Sequence, residues 1–368
     1  MKILHIHERV GDYGGGEIYL ASLREGLGLL GHENPAIYLT PTGLEQAADG
    51  THVLRKPHGF WSGIQMAARL DELIDREKPD VIHLHTLFSP VALATVCDKK
   101  PVVFTFHSLH LLPRKRSQRE WAPVHLYEDC LKPFLRMAMK QLDQIIAPSE
   151  AFEKELLKDG FRPEQISVLP HFTEMGSETR GEDDGQTLLF VGRLSADKGI
   201  LEFIECLARL PKGGWRTLIA GEGPLKDEAV KRTARYGIEK FVQFLGWVDQ
   251  ARLTDAYRQA TAVVIPSIVL EAFSLAGIEA MAHWKPVVAF DAGGVHEWLS
   301  DGQTGFLVER GNIDALTMRI RTLLEDPALG RKFGEEGRRR VETQYRRKTH
   351  LERLMGIYRD ALRRRVSG

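Results

Sequence analysis

Two glutamates eight positions apart, Glu271 and Glu279, stand in the stretch Pro266–Trp298, PSIVLEAFSLAGIEAMAHWKPVVAFDAGGVHEW. The β-rich run Ala262–Ile265 precedes it, so Pro266–Phe273 reads as a loop leaving the carboxyl end of a strand, and a helix opens near Ser274. Free N–H groups and the positive end of a helix dipole make an anion site there. A carboxylate just before the helix and another inside it are placed to accept hydrogen bonds from sugar hydroxyls on either side of a phosphate. Dipole compensation and plain surface solvation are the competing explanation for such glutamates.

A second segment, Val191-Gly192-Arg193-Leu194-Ser195-Ala196-Asp197-Lys198-Gly199, also follows a strand and leads into a helix. Arginine offers a planar fork and lysine a point charge, and a diphosphate uses both. Neutralisation of Arg193 and Lys198 by Asp197 or by a helix terminus is the plainer alternative. A third segment, Gly14-Gly15-Gly16-Glu17, follows the first strand and opens the first helix. Glycines let backbone amides approach a ligand closely, although a short glycine run also serves as an ordinary turn.

Strands and helices in alternation must position these groups. Strands are expected at Lys2–His7, Ala36–Leu39, Val81–His85, Val102–Phe106, Gln144–Ala147 and Ile166–Leu169, with helices such as Glu17–Leu30, Ile64–Glu77, Leu126–Leu142 and Glu150–Lys158 between them. After a polar stretch, Thr173–Gln186, the alternation restarts. Its strands are Leu188–Val191, Thr217–Ala220, Val242–Leu245, Ala262–Ile265 and Val287–Phe290, and its helices Gly199–Arg209, Leu225–Tyr236, Ala251–Gln259 and Leu275–His283. From Ile313 onward the pattern is helical. Such alternation means parallel sheets covered on both faces, hence an α/β fold of two doubly wound, Rossmann-like domains with C-terminal helices. Ligands of open α/β sheets bind at the carboxyl ends of the strands, here in a cleft between the halves.

Composition agrees. The chain has 368 residues, enough for two domains, with 43% apolar and 27% charged residues. Fifty basic residues balance fifty acidic ones, which argues against a surface built to grip nucleic acid. Cys97, Cys130 and Cys206 are far apart and form neither a disulfide framework nor a zinc spacing, as in a reducing compartment. No signal-peptide pattern opens the chain, and no stretch nears the roughly 20 apolar residues of a membrane span, so a cytoplasmic location is expected. The tail Arg331–Arg365 holds thirteen Lys/Arg against five Asp/Glu, and Arg114, Lys115, Arg116 and Arg119 form a second basic cluster. Either is a solvated face or a docking surface for an anionic membrane or charged acceptor, which leaves peripheral contact at the inner membrane face open.

Together these segments resemble the retaining, family-4 glycosyltransferases of the GT-B type, whose two Rossmann-like domains face across a cleft. The similarity spans nearly the whole chain. Its most specific part is E-x7-E at Glu271 and Glu279, set in PS-x3-E-A-F and followed by EAMA, PVVA and GGVHE, with VGRLSADKG upstream. The resemblance implies an acceptor-binding domain over residues 1–175 and a nucleotide-sugar-binding domain over 186–345, with a C-terminal helix over about 346–366 that packs back on the first. It implies that Glu271 binds donor-sugar hydroxyls and Glu279 the ribose. Phe273, Ser274 and Leu275 would present amides to the diphosphate, and Arg193 and Lys198 would neutralise it as it leaves. Gly15 and Gly16 would close over the donor phosphates, and His107, in FTFHSLH, would stand beside the transferred sugar. Gly221 and Gly223, in Gly-Glu-Gly-Pro, and Val248, after Gly246-Trp247, match family loops, the latter beside the base.

The chain departs from the family pattern in three places. Ala272 and Ser274 replace glycines that often flank the phenylalanine, and Trp284 replaces a small glycine turn before PVVA. His171-Phe172 stands where Asn-Gly is usual, which removes support for donor contacts from that loop. The expected partners are a nucleotide-sugar donor and a glycan, lipid-linked or small-molecule acceptor, in cell-surface polysaccharide or glycolipid synthesis, with no nucleic acid. No cofactor is expected. His5 and His7, and His83 and His85, form same-face strand pairs, and His107 and His110 lie three apart. None has recognisable metal-ligand spacing, and no Asp-x-Asp follows a strand, so no metal is expected either. Two other functions stay open on the same fold. A nucleotide-sugar 2-epimerase would act on the donor alone, and a non-catalytic sugar-nucleotide-binding subunit would bind it without turnover.

Overall fold

The computed structural model describes residues 1–7, 15–40, 51–55, 62–86, 89–107, 133–176, 178–180 and 184–367. Gly14, His110, the basic cluster Arg114–Arg119, Cys130 and residues 126–132 of the expected helix Leu126–Leu142 lie outside them; within the rest a helix runs over 133–139. The chain divides into two compact units, Met1–Pro170 with His350–Gly368, and His171–Thr349.

The first unit carries a seven-stranded parallel sheet: β1 (Ile3–His7), β2 (Ala36–Thr40), β3 (Thr51–Arg55), β4 (Val81–Leu84), β5 (Val102–Thr105), β6 (Gln144–Ala147) and β7 (Ile166–Val168). Their order is β3-β2-β1-β4-β5-β6-β7. The second carries six parallel strands: β8 (Thr187–Val191), β9 (Arg216–Ala220), β10 (Val242–Gly246), β11 (Ala262–Ile265), β12 (Val287–Phe290) and β13 (Gly305–Val308), in the order β10-β9-β8-β11-β12-β13. Each is a doubly wound sheet whose strand order reverses once, between β1 and β4 in the first unit and between β8 and β11 in the second.

Central strands are buried throughout because helices cover both faces. In the second unit, Leu188, Phe190 and Val264 enter one core while their neighbours Leu189, Val263 and Ile265 enter the other. Two strands escape a sequence reading. β3, Thr-His-Val-Leu-Arg, is a half-buried edge strand, and β13, Gly-Phe-Leu-Val, is a four-residue edge strand opened by glycine. Short edge strands lack the long apolar signature of strands buried on both faces. The second unit ends in helices Ile313–Glu325 and Pro327–Gln344, and helix Arg347–Ser367 joins the first unit from His350.

That last helix is tied down by its own residues. His350 Nδ1 pairs with the Pro170 carbonyl at 2.8 Å, Tyr358 Oη with His83 Nδ1 at 2.7 Å, and Arg365 donates to the Cys97 carbonyl at 2.7 Å. Much of the basic tail is likewise used internally. Arg338 is buried and paired with Glu342, Arg340 donates to the Glu297 carbonyl, and Arg353 donates to the Val168 carbonyl. No helix among the described residues is long and apolar enough to cross a membrane.

Candidate active site

In the second unit the loops after β8 and β11 flank the point where the strand order reverses, the place where open α/β sheets bind ligands. The β8 loop contains a short 3-10 turn, Ala196–Lys198, closed by Gly199 at φ 68°. A Cβ on Gly199 would overlap the Pro266 carbonyl, so only glycine lets the two loops meet. Ile268 N–H donates to the Asp197 carbonyl at 3.0 Å and completes the junction.

That junction delivers Lys198 to Glu271. Lys198 Nζ donates to Glu271 Oε1 at 2.6 Å, and Ser267 Oγ donates to the same oxygen at 2.5 Å. Glu271 is buried, and its backbone is pinned from the β12 side. Its N–H donates to the Ala292 carbonyl at 3.1 Å, and Gly294 N–H donates to its carbonyl at 2.9 Å. Gly293, at φ 67°, allows this close approach. Burial works against the Lys198 charge, but the Glu271 carboxylate outweighs it and holds the lysine above its ordinary pKa. The partner that neutralises Lys198 is therefore chiefly Glu271 rather than the neighbouring Asp197. Arg193, on the same loop, is exposed, and its guanidinium enters no ion pair among the described residues.

Helix Leu275–Ala282 starts beside Glu271. Its start is fixed by Trp298, whose Nε1 donates to the Phe273 carbonyl at 2.5 Å and whose ring lies where a side chain on Gly277 would be. Among the described residues the backbone N–H groups of Phe273, Ser274 and Leu275 donate no hydrogen bond. The first N–H groups of a helix have no intrahelical partner, and these three lie in succession at the helix start. Ser274 adopts φ 75°, ψ 92°, and Trp284 φ 62°. Two of the three residues that replace family glycines, Ser274 and Trp284, thus sit in the backbone region that favours glycine, whereas Ala272 does not.

Glu279, one helix face further on, accepts from Tyr257 Oη at 2.9 Å, and burial raises its pKa. Tyr257 stacks on His283 at 4.9 Å, and His283 Nδ1 meets the Glu279 carbonyl at 2.8 Å. His171 is buried with its ring edge-on to Phe273 at 5.9 Å, so the unusual His171-Phe172 supports the loop before the helix. Gly221 and Gly223 bring the β9 loop onto the β8 loop. A Cβ on the first would overlap the Gly192 carbonyl and on the second the Leu194 backbone, and Leu194 N–H donates to the Glu222 carbonyl at 2.9 Å. Gly221 N–H donates to the Gly246 carbonyl at 2.8 Å, joining the loop of half-buried Val248 and exposed Trp247.

In the first unit the equivalent point lies after β1 and β4. Gly15 and Gly16 open helix Gly15–Leu29, and a Cβ on Gly16 would meet the His107 and His7 rings at ordinary contact distance. His5, His83 and His85 gather with one nitrogen of each within 4.8 Å of the others. Sequence spacing shows only two separate pairs, because the His5↔His83 register of β1 and β4 creates the cluster. His83 spends Nδ1 on Tyr358 and Nε2 on Thr105 Oγ1, both at 2.7 Å. Ser267, Tyr257 and His85, which contact the candidate residues Glu271, Glu279 and His107, were not among the candidates drawn from the sequence. Ser267, four before Glu271 in the PS-x3-E motif, and His85, in its same-face pair with His83, each had a signal; Tyr257 had none.

Two parallel, doubly wound units with this loop set define a GT-B-type glycosyltransferase. Residues 13–175 match the model described as Glycosyltransferase Family 4, and residues 173–340 the one described as Glycosyl transferases group 1. The chain is 30% identical to the alpha-D-kanosaminyltransferase of Streptomyces kanamyceticus over 71% of its length and 70% of that protein's. It is 27% identical to an uncharacterised glycosyltransferase of Methanocaldococcus jannaschii over 95% of each chain. The structure of HepE of Anabaena in complex with UDP and glucose shares the fold at a TM-score of 0.77, with 21% identity, over 97% of this chain and 99% of that one. The protein belongs to the family-4 glycosyltransferases and is a glycosyltransferase enzyme.

Proposed function

We propose that this enzyme moves a sugar from a nucleotide-diphosphate donor to an acceptor hydroxyl with retention of anomeric configuration and without a metal or cofactor. The observation that carries the reading is the convergence of Lys198, Glu271 and the three open amides of Phe273, Ser274 and Leu275 at the β8/β11 reversal point. The family's donor chemistry supports it, as does UDP in the related HepE structure.

On this reading the amides and the Arg193 and Lys198 side chains receive the diphosphate, Glu271 the sugar hydroxyls and Glu279 the ribose. Gly15, Gly16, Gly221, Gly223 and Val248 line the donor loops. The bond from the anomeric carbon to the phosphate oxygen breaks, and its electron pair leaves on the diphosphate. Negative charge grows where fixed donors already point, so little reorganisation is needed. The acceptor oxygen forms the new bond on the same face, and its proton passes to a phosphate oxygen. No enzymic nucleophile takes part, and His107 contacts the transferring sugar.

The acceptor side, a cell-surface polysaccharide or glycolipid, rests on the family resemblance. The free, buried Cys97 and Cys206 fit a cytoplasmic setting. A thermal-shift screen against UDP-, GDP-, ADP- and dTDP-sugars tests the donor claim. A true donor at 100 times its Kd adds about 2.7 kcal/mol of stability. No shift with any of the four, or an inverted anomer in the product, contradicts the reading.

A further inference from the structure

His5, His85 and His107 form a hydrogen-bonded chain within the first unit. His5 Nδ1 lies 3.1 Å from His85 Nε2, and His85 Nδ1 lies 3.2 Å from His107 Nε2. The rings are stacked, at 5.4 Å and 27° for the first pair and 5.5 Å and 21° for the second. His5 is on β1, His85 directly follows β4 and His107 lies two residues past β5, so three neighbouring strands fix the spacing. At the inner end, His5 Nε2 is buried and has no hydrogen-bond partner among the described residues.

That orphan atom gives the chain a direction. A neutral imidazole has one N–H and one lone pair. Only two proton patterns satisfy both hydrogen bonds. In one, every ring is an Nε2–H tautomer, and His5 buries an N–H that nothing accepts. In the other, every ring carries its proton on Nδ1, and His5 leaves only a lone pair unmatched. An orphaned buried N–H is the rarer state, so the second pattern holds. His5 then donates to His85, and His85 donates to His107.

We infer that His85, backed by His5, is a positioning residue that locks His107 in its Nδ1–H tautomer and in one ring orientation. His107 thereby offers a donor at Nδ1 and no proton at Nε2. Burial supports this, since it holds His5 and His85 well below the ordinary histidine pKa and so keeps both neutral. The catalytic consequence rests on the reading of His107 given above; the tautomer does not.

Long-range ¹H–¹⁵N spectra of the wild-type enzyme, labelled on histidine, read the tautomer directly. The expected result is Nδ1–H at His107, and Nε2–H there overturns the inference whatever the activity. In His85→Leu, His107 is expected to revert to the Nε2–H form. Misplacing a contact group of this kind costs roughly ten- to a hundredfold in kcat. Donor KM stays nearly unchanged, and His85→Gln, which keeps a donor towards His107 Nε2, recovers part of the loss. A folded His85→Leu with wild-type kcat overturns the positioning role. Wild-type kcat in His107→Ala instead overturns the reading of His107, and the wild-type nitrogen spectrum tells that failure from the first.

Discussion

Lys198 and Glu271, seventy-three residues apart, share a 2.6 Å ion pair that a second donor, Ser267, caps on the same carboxylate oxygen. The lysine side chain keeps 33% of its surface and the glutamate 9%. On the proposed reading the cation is compensated by this carboxylate until the donor diphosphate binds. Glu271→Gln removes that compensation. Breaking a fully buried pair costs about 3–5 kcal/mol. The exposure of Lys198 reduces this to an expected loss of about 1–3 kcal/mol in urea unfolding of the free protein. An unchanged urea midpoint contradicts the pairing described.

Ser274 occupies a glycine conformation at the start of the amide-bearing helix. Such strain costs on the order of 1–3 kcal/mol, partly offset in the glycine variant by the greater freedom of its unfolded chain. Ser274→Gly is expected to raise the melting temperature while leaving donor affinity within about twofold. A lower melting temperature means that the serine side chain supplies stabilising contacts here.

Tyr257 fixes the inner carboxylate, Glu279, through a 2.9 Å hydrogen bond. Tyr257→Phe keeps the stacking on His283 and removes only the hydroxyl. A hydrogen bond to a charged group contributes about 1.5–3 kcal/mol to stability, so the urea midpoint should fall. Donor affinity, read by calorimetry, should fall as far as Glu279 loses its orientation. Unaltered affinity for the nucleoside diphosphate contradicts an orienting role of the Tyr257 hydroxyl on Glu279.

Stability should fall with acid earlier than carboxylate titration alone would give. Burial lowers His5 and His350 to about 3 and holds His83 and His85 well below the ordinary value. Below pH of about 6.5 the unfolded chain binds protons that the folded chain refuses, so stability drops as pH falls towards 3. Each such histidine removes on the order of 1 kcal/mol per pH unit in that window and nothing above it. Urea unfolding of the first unit at pH 7.5 and 5.5 checks this. Equal midpoints contradict the neutral, buried cluster.

Much of this architecture is legible in the residues themselves. Apolar runs such as Gln144–Ala147 and Ala262–Ile265 mark strands buried on both faces, and the structure places them at those residues. Motif loops after strands β8 and β11 are equally plain, because glycine, arginine and glutamate interrupt apolar runs there. What escapes is set by distance in the chain. The Tyr257 contact with Glu279 spans 22 residues and the His5 contact with His85 spans 80, and both need the strand order before they exist. Ser274 and Trp284 look like simple family variants in sequence; only the backbone shows that each stands where glycine would be relaxed.

Single-turnover transfer by Lys198→Ala and Arg193→Ala, at saturating donor and with EDTA present, tests the central claim most directly. Loss of a preorganised donor to a developing anion costs about 2–4 kcal/mol in the transition state, so each rate should fall on the order of a hundredfold or more. Wild-type rates in both variants would contradict the assignment of these two cations to the departing diphosphate.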